Sequence, residues 1–370
     1  MNILCLDQFS ELGGAQRCLL DLMPAFASRG WNVHLAAPGD GQLMERAAAL
    51  HATVDHIPCG PYSSGKKTPR DMLRFAAELP YLAGEIRRLA RRYDVQLIYV
   101  NGPRLLPAVA LGARKGPPVL FHAHSLLDGR PLRLAGRSLD RARAAMVASC
   151  RFVAVPLLPY SGERGIRIVY NGVRRICTPT RAPTPGEFHI GVIGRISPEK
   201  GQADFLRAAR ILHSAAPRCR FLICGAPLFS DQAALRYQAS LEALAEGLPV
   251  EFAGWTEDID RVLGTLDLLV IPSAAVDATP RVILEAFAAG VPVVAFASGG
   301  IPEILEHGVT GFLVEERSPK ALALSMLDAL ESAGRRCEVA QRARAKARRE
   351  FSMERYQKQM VVAIEAAVGI

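Results

Sequence analysis

The sequence has no uninterrupted apolar run long enough to cross a bilayer, so it does not predict a membrane-spanning helix. The N-terminal segment lacks the basic region of a signal peptide, and we interpret it as a first strand. Eight cysteines are present, but none forms a Cys-x-x-Cys pair and none has histidines at zinc-ligand spacing. We therefore expect reduced thiols, a cytoplasmic location and no bound metal.

Other patterns of known chemistry are missing too. There is no Ser-His-Asp order and no Walker loop, and Gly191-Val-Ile-Gly194 falls short of the dinucleotide glycine pattern, which argues against NAD. The net charge of +9 nevertheless indicates an anionic partner. Basic segments are not interleaved with aromatic residues, so we do not expect nucleic acid, and a nucleotide or an anionic lipid stays open.

Short apolar runs alternate with amphipathic helical patterns along most of the chain. This alternation is typical of parallel sheets covered by helices on both faces. The predicted strands are Ile3–Leu6, Val33–Ala36, Leu97–Val100, Val119–His122, Phe152–Val155, His189–Ile193, Arg220–Cys224, Val250–Phe252, Leu268–Ile271 and Pro292–Phe296. The clearest helices are Ala15–Ser28, Asp204–His213 and Ala321–Leu330.

The predicted fold class is α/β, with two doubly wound, Rossmann-like domains that face each other across a cleft. Residues 1–173 form the first domain and 188–351 the second. The aperiodic segment 174–187, with three prolines, is the predicted linker. We expect a C-terminal helix, at about 352–370, to pack back on the first domain.

The segment from Asp277 to Glu285 carries the strongest functional signal. Thr279 suits a helix cap and Pro280 the first helical position. The start of such a helix attracts an anion such as a diphosphate, and its donors are the backbone N–H groups of Arg281, Val282 and Ile283. The two carboxylates are then placed to bind hydroxyl groups, as a nucleotide-sugar site requires.

Five blocks of the second half resemble the retaining glycosyltransferases of the GT-B fold in glycosyltransferase family 4. The blocks are Gly194–Gly201, Phe252–Trp255, Leu269–Ser273, Asp277–Glu285 and Gly299–Glu303. Weaker matches in the first half are Gly13-Gly14, His122-Ala-His124 and Asn171-Gly172-Val173. The resemblance implies that a sugar leaves a nucleotide-diphosphate donor with retained configuration, without an obligatory metal or any cofactor.

The resemblance also implies roles for four charged residues. Arg195 and Lys200 form a clamp for the leaving diphosphate, whose developing charge two cations can neutralise. Glu285 accepts the ribose hydroxyls, and Asp277 contacts the transferred sugar. The family usually has Glu at this last position, and Asp shortens the reach by about 1.5 Å. A second interpretation makes Asp277 only a helix-start residue.

Further donor-site residues come from the same blocks. Gly299 and Gly300 allow the backbone to approach the sugar or phosphate closely. Glu303 is either a ligand-binding residue or the first-turn acid of the next helix. Gly254 and Trp255 border the base, although a core position for Trp255 is slightly favoured.

The first half contributes a glycine pair and a histidine. Gly13-Gly14 opens a helix whose N–H groups can contact the diphosphate or the acceptor. His124 ends a strand where the family has a histidine near the donor sugar. His122 lies on the same face and competes for this role.

Four arginines recur at three- and four-residue steps and share an arc of about 80° on a predicted helix. They are Arg130, Arg133, Arg137 and Arg141. The opposite side of this helix has Leu132, Ala135, Leu139, Ala142 and Met146. The arginines form either a solvated face or a contact with anionic lipid or a polyprenyl-diphosphate acceptor. The second interpretation places the protein peripherally on the inner face of a membrane.

We therefore expect a retaining, metal-independent glycosyltransferase with a UDP- or GDP-sugar donor. The acceptor is a sugar or lipid-linked hydroxyl, such as a polysaccharide precursor. Two alternatives stay open: a sugar-nucleotide-binding protein without transfer activity, and a nucleotide-sugar epimerase of the same fold.

Overall fold

The computed structural model describes residues 1–60, 68–112, 116–174, 187–227, 232–273 and 277–370. Most of the predicted linker, residues 175–186, lies outside these ranges. The chain divides into two compact units. The first unit comprises Met1–Asn171 and Met353–Ile370, and the second comprises Gly172–Ser352.

The first unit is built on a seven-stranded sheet in which the neighbouring strands pair in parallel. Its strands are β1 (Asn2–Leu6), β2 (Asn32–Ala37), β3 (Thr53–His56), β4 (Leu97–Val100), β5 (Val119–Ala123), β6 (Ala145–Ala148) and β7 (Ile166–Ile168). Their order is β3-β2-β1-β4-β5-β6-β7. The strand order therefore reverses between β1 and β4.

The central strands are apolar throughout because helices cover both faces of the sheet. Ile3, Leu35, Tyr99 and Leu120 are completely buried in one core cluster. The helices of this part of the chain are α1 (Gly14–Ser28), α2 (Gln42–Ala49), α3 (Pro69–Arg92), α4 (Leu106–Gly112), α5 (Gly129–Ala142) and α6 (Arg151–Ala154). Among the described residues, no helix is both long and apolar enough to cross a bilayer.

The second unit has a six-stranded parallel sheet with the order β10-β9-β8-β11-β12-β13. Its strands are β8 (Phe188–Ile193), β9 (Cys219–Cys224), β10 (Val250–Gly254), β11 (Leu268–Ile271), β12 (Val293–Phe296) and β13 (Phe312–Val314). Its helices are α7 (Gln202–Ala215), α8 (Gln232–Ala245), α9 (Ile259–Thr265), α10 (Arg281–Ala289), α11 (Ile301–Ile304), α12 (Pro319–Glu331) and α13 (Ala333–Glu350). Here the order reverses between β8 and β11. The predicted parallel α/β architecture is confirmed.

The last helix, α14 (Met353–Val368), belongs to the first unit and packs against α1. The Tyr356 hydroxyl donates to the Cys18 carbonyl oxygen at 3.1 Å, and the Gln357 amide donates to that of Asp21 at 2.6 Å. Arg29 pairs with Glu365 at the other end of α14. These bonds tie the end of the chain to the helix that follows its first strand.

One predicted strand is wrong. Phe152–Val155 falls in α6 and the 3₁₀ segment that follows it, whereas the strand of this region is Ala145–Ala148. Arg143 adopts a left-handed conformation (φ 48°) and ends α5 at Ala142. Met146 therefore lies in β6 and not on the apolar side of the arginine-bearing helix, as its spacing had suggested. Because α5 ends at this turn, the short run Ala145–Ala148 can form a strand of the sheet.

Candidate active site

The reversal of strand order in the second unit brings the ends of β8 and β11 together. Ligands of open parallel sheets bind at such reversals, beyond the carboxyl ends of the strands. Gly201, in the loop after β8, has φ +72°, and a Cβ there would lie 1.7 Å from the Pro272 carbonyl oxygen after β11. Only glycine permits this approach of the two loops.

Lys200 and Asp277 meet at this point. The Lys200 ammonium forms an ion pair with Asp277 Oδ2, and the Ser273 hydroxyl donates to the same oxygen at 3.2 Å. The side chains are 31% and 18% exposed, so the pair is partly open to solvent. The residue expected to bind the diphosphate thus bonds the residue expected to contact the sugar.

Gly299 and Gly300 lie against the backbone of Asp277. Gly299 has φ +58°, and a Cβ there would lie 2.0 Å from the Asp277 carbonyl oxygen. The Gly300 N–H donates to that oxygen at 3.0 Å. Gly300 caps α11, and Glu303 lies in the first turn of this helix. The glycine pair therefore fixes the backbone of Asp277.

Arg195 lies in the loop after β8 with a partner of its own. Its guanidinium pairs with Glu199 at 3.0 Å, and its carbonyl oxygen accepts from the buried Gln202 side chain at 2.8 Å. The backbone is therefore anchored, while the guanidinium lies on the surface. Exposed pairs of this kind stabilise proteins by about 0–1 kcal/mol, so an anionic ligand can replace Glu199 at little cost.

Helix α10 begins one residue later than its sequence suggests. Pro280 is the cap, with extended ψ 113°, and Arg281 is the first helical residue. The Ile283 N–H already donates to the Pro280 carbonyl oxygen at 3.1 Å, so the expectation that it faces an anion is wrong. Thr279 is buried just before the helix. Three further residues that the sequence predicts for the donor site lie on the first two turns: Arg281, Val282 and the half-buried Glu285.

The end of β10 carries Gly254, whose carbonyl oxygen accepts from the Gly225 N–H at 2.8 Å. Trp255 follows and is 45% exposed, so the preference for a core position is wrong. The reason is topological: β10 is the edge strand of its sheet. The indole is accessible to a planar ligand group.

In the first unit, Asp7 is the centre of a buried polar network that the sequence analysis missed. It follows β1 directly, is completely buried, and accepts from Gln16 at 2.8 Å, Asn101 at 2.6 Å and the Phe9 N–H at 2.9 Å. Burial raises the pKa of this carboxyl to about 6, although these hydrogen bonds lower it. The available signal was a polar residue directly after two buried strands, since Asn101 follows β4 as Asp7 follows β1.

The same network holds His124. The Asn101 NH₂ group donates to Asp7 and to the Ala15 carbonyl oxygen at 3.2 Å, so its oxygen faces His124 Nε2 at 2.8 Å. Nε2 must therefore carry the proton. His122 is only 1% exposed and its Nδ1 bonds the Tyr99 hydroxyl at 2.5 Å. Its burial holds its pKa well below the ordinary value, and His124 is the more accessible of the two.

The glycine pair before α1 divides into two different positions. The Gly13 N–H donates to Gln16 Oε1 at 3.1 Å, and a Cβ on Gly13 would lie 2.8 Å from that oxygen. Gly14 is exposed, and a Cβ there would meet no atom within 4 Å. Because Gln16 also bonds Asp7, the network links the start of α1 to His124.

The arginines of α5 are exposed, and the opposite side of the helix is buried through Ala135, Gly136, Ser138 and Leu139. The exposed set is Arg130, Arg133, Arg137 and Arg141. Across the described residues, no group of three or more His, Cys, Asp or Glu side chains is arranged to hold a metal ion.

Comparisons with known proteins agree with this architecture. The chain resembles HepE (Alr3699) of Anabaena, whose structure contains UDP and glucose, with 25% identity and a TM-score of 0.82 over 98% of this chain and 99% of that one. It is 31% identical over 221 residues to the D-inositol 3-phosphate glycosyltransferase of Salinispora tropica (57% of this chain, 44% of that protein). It is 29% identical over 180 residues to the amylovoran biosynthesis glycosyltransferase AmsK of Erwinia amylovora (47% and 43%).

The chain thus spans less than half the length of these two sequence relatives. Two family models cover most of it. Residues 12–175 match the model of Glycosyltransferase Family 4, and residues 181–349 match that of Glycosyl transferases group 1. The chain therefore belongs to the family 4 glycosyltransferases with the GT-B fold.

Proposed function

We propose that the protein transfers a sugar, with retained configuration, from a UDP-sugar to a hydroxyl acceptor and without a metal. The juxtaposition of Lys200, Asp277 and Gly299 at the reversal of strand order carries this proposal. UDP is preferred to GDP because HepE, similar over nearly its whole length, binds UDP and glucose. Arg195 and Lys200 take the role that a metal has in other diphosphate sites.

Donor binding changes the partners of both cations. The diphosphate replaces Glu199 at Arg195 and Asp277 at Lys200, since its several oxygens accept more hydrogen bonds than one carboxylate does. Asp277, released from Lys200 but still held through its backbone by Gly300, then accepts from a hydroxyl of the sugar. Glu285 accepts from the ribose hydroxyls, and Trp255 borders the base.

The chemical step forms one bond and breaks one. The acceptor hydroxyl oxygen attacks the anomeric carbon on the face from which the diphosphate leaves. As the bond from that carbon to the diphosphate oxygen breaks, this oxygen takes the proton of the attacking hydroxyl. Arg195 and Lys200 stabilise the charge on the leaving group. His124, whose Nε2 is held by Asn101, contacts the donor sugar.

The proposed acceptor is a lipid-linked saccharide that grows into a polysaccharide, and AmsK, whose name places it in amylovoran biosynthesis, supports this class. A cytoplasmic enzyme bound peripherally to the inner face of the membrane fits such an acceptor. The exposed arginines of α5 are suited to its anionic headgroups or diphosphate.

A thermal-shift panel of UDP-, GDP- and ADP-sugars tests the donor. A ligand at about 100 times its Kd stabilises the folded state by roughly 2.7 kcal/mol, so the matching base gives a clear rise in Tm. We expect the UDP-sugars to produce it, and a rise with GDP- or ADP-sugars alone contradicts the UDP assignment. Slow hydrolysis of the bound donor to UDP and free sugar is also expected. Binding without hydrolysis supports a protein that has lost transfer, and an altered nucleotide sugar in the absence of acceptor supports an epimerase.

A further inference from the structure

The first half of α3 has an apolar face that the described parts of the chain leave open. Met72 is 53% exposed, Leu73 75% and Tyr81 68%. At about 100° per residue, these side chains and the exposed apolar residues between them share one half of the helix circumference. Those residues are Ala76, Ala77 and Pro80. We call this set, from Met72 to Tyr81, the apolar face of α3.

Most of this face is separate from the side by which α3 packs. The second half of the helix buries Leu82, Ile86 and Leu89, which point roughly 160° away from the centre of the apolar face at about 100° per residue. The small buried residues Ala83 and Ala90 lie in line with Met72, at one edge of the face. The helix is therefore anchored at its C-terminal half, while its N-terminal half presents large apolar side chains to the outside. Such a concentration of exposed apolar residues marks an interaction surface.

The neighbouring elements also carry exposed apolar side chains. Helix α3 packs against α4, α4 against α5, and α5 against the 3₁₀ segment Val155–Tyr160. Of the ten exposed large apolar side chains described in the first unit, seven belong to these four elements. In addition to the three on α3, they are Leu111, Leu134, Val155 and Leu158.

The charges around this surface favour an anionic partner. Arg70 and Arg74 border the apolar face of α3, and the four exposed arginines of α5 belong to a helix that is connected to α3 through α4. Asp71 bonds Thr68, and Glu78 pairs with Arg74 at 2.6 Å, so Arg70 and the arginines of α5 carry the positive charge of this surface. Apolar side chains bordered by arginines match a bilayer surface, where the apolar groups enter the acyl boundary and the arginines meet headgroups.

We propose that the apolar face of α3 inserts into an anionic lipid bilayer, and that the arginines of α5 contact its headgroups. The lipid-linked acceptor of the proposed function fits this arrangement, but the insertion rests on α3 itself and is measured without substrate. Because apolar burial is insensitive to salt, the insertion term persists at high ionic strength, whereas the arginine term is screened.

Sedimentation with lipid vesicles tests the insertion. The full chain is mixed with phosphatidylcholine vesicles, either pure or with about one third phosphatidylglycerol, at low and high salt. The double variant Leu73→Gln with Tyr81→Gln removes apolar surface without changing charge. Leu324→Gln on α12, 55% exposed in the second unit, is the matched control. We expect binding to the anionic vesicles, unchanged by the control and reduced at least about tenfold by the double variant.

Three outcomes overturn the insertion. One is that the unaltered protein binds neither kind of vesicle, and another is that the double variant binds as well as the control. The third is a dimer, seen by light scattering, that the double variant dissociates while vesicle binding is absent; this assigns the face to a second copy of the chain. The rise of Tm with donor must be equal in all variants, so that a failure of the donor site is recognised separately.

Discussion

The polar side chains beyond the carboxyl ends of the strands are arranged differently in the two sheets, although both sheets are parallel and both reverse their strand order. Beyond β1 and β4, the first unit has a buried hydrogen-bonded network around Asp7. Beyond β8 and β11, the second unit has two partly exposed ion pairs, Arg195–Glu199 and Lys200–Asp277. The first arrangement is held by many bonds to each member, whereas each cation of the second has one carboxylate partner in the described structure.

The difference suits the two units to different tasks in the proposed function. A desolvated network with satisfied donors keeps a side chain such as His124 in one orientation. Partly exposed ion pairs contribute little to stability and exchange readily with an anionic ligand. We therefore propose that the polar network of the first unit orients His124, and that the ion pairs of the second unit exchange their carboxylates for an anionic ligand.

The largest effect is expected from removing both cations of the second unit. Arg195→Ala combined with Lys200→Ala takes away the charges proposed to stabilise the leaving diphosphate, and kcat/KM for transfer should fall by about 10³-fold or more. Tm should stay near that of the unaltered protein, since both pairs are partly exposed. Steady-state transfer from UDP-sugar measures the effect.

The matched control removes the same charge from two surface pairs of the second unit. Arg207 pairs with Asp204, and Arg342 pairs with Glu338. Arg207→Ala combined with Arg342→Ala should leave transfer within about twofold. If both double variants lose the same activity, the effect comes from net charge and the clamp assignment is wrong.

The second effect concerns stability in the first unit. The pKa of Asp7 is about 6 in the folded protein, against an ordinary value of 3.8 that applies to the unfolded chain. Between these two pH values the folded protein keeps a proton that the unfolded chain has released. The contribution of this proton to the free energy of unfolding is complete below about pH 4. It amounts to about 3 kcal/mol and is lost as the pH rises through 6. Urea unfolding of the unaltered protein and of Asp7→Asn, from pH 4 to 7, measures the difference. A pH-independent difference between the two contradicts the buried-carboxyl account.

A smaller effect is expected from Asn101→Ala, which removes the residue that orients His124. If His124 contacts the donor sugar, kcat should fall about 10- to 100-fold while KM for the donor changes less. The nearby His122→Gln is a useful comparison, because His122 is buried and bonds Tyr99 instead. If Asn101→Ala and His122→Gln lose kcat equally, and each in proportion to the stability it loses, then Asn101 has only a structural role.

Local patterns predicted most of the architecture. Leu97–Val100 and Leu268–Ile271 agree residue for residue with β4 and β11, because buried parallel strands are short continuous apolar runs. Phe152–Val155 failed for the same reason: four apolar residues fit a strand or a helical turn equally well. The strand lies at Ala145–Ala148, directly after the left-handed Arg143 that ends α5. The local sequence does not predict this helix end, because the left-handed residue is not a glycine.

The site residues divide in a similar way. The spacing of blocks identified Lys200, Asp277 and Gly299 separately, but their meeting depends on contacts between residues far apart in sequence. Lys200 and Asp277 are 77 positions apart, and no local pattern reports their ion pair. Asp7 was within reach of sequence analysis, because it and Asn101 directly follow buried strands.

The most direct test of ligand exchange is calorimetric titration of UDP into three proteins: the unaltered chain, Asp277→Asn, and Arg195→Ala with Lys200→Ala. Asp277→Asn removes the carboxylate that competes for Lys200, so UDP should bind about 2- to 5-fold more tightly even though transfer falls. The double alanine variant should lose most of its affinity. UDP binding that Asp277→Asn weakens, or that the double variant leaves unchanged, would contradict the exchange of Asp277 for the diphosphate.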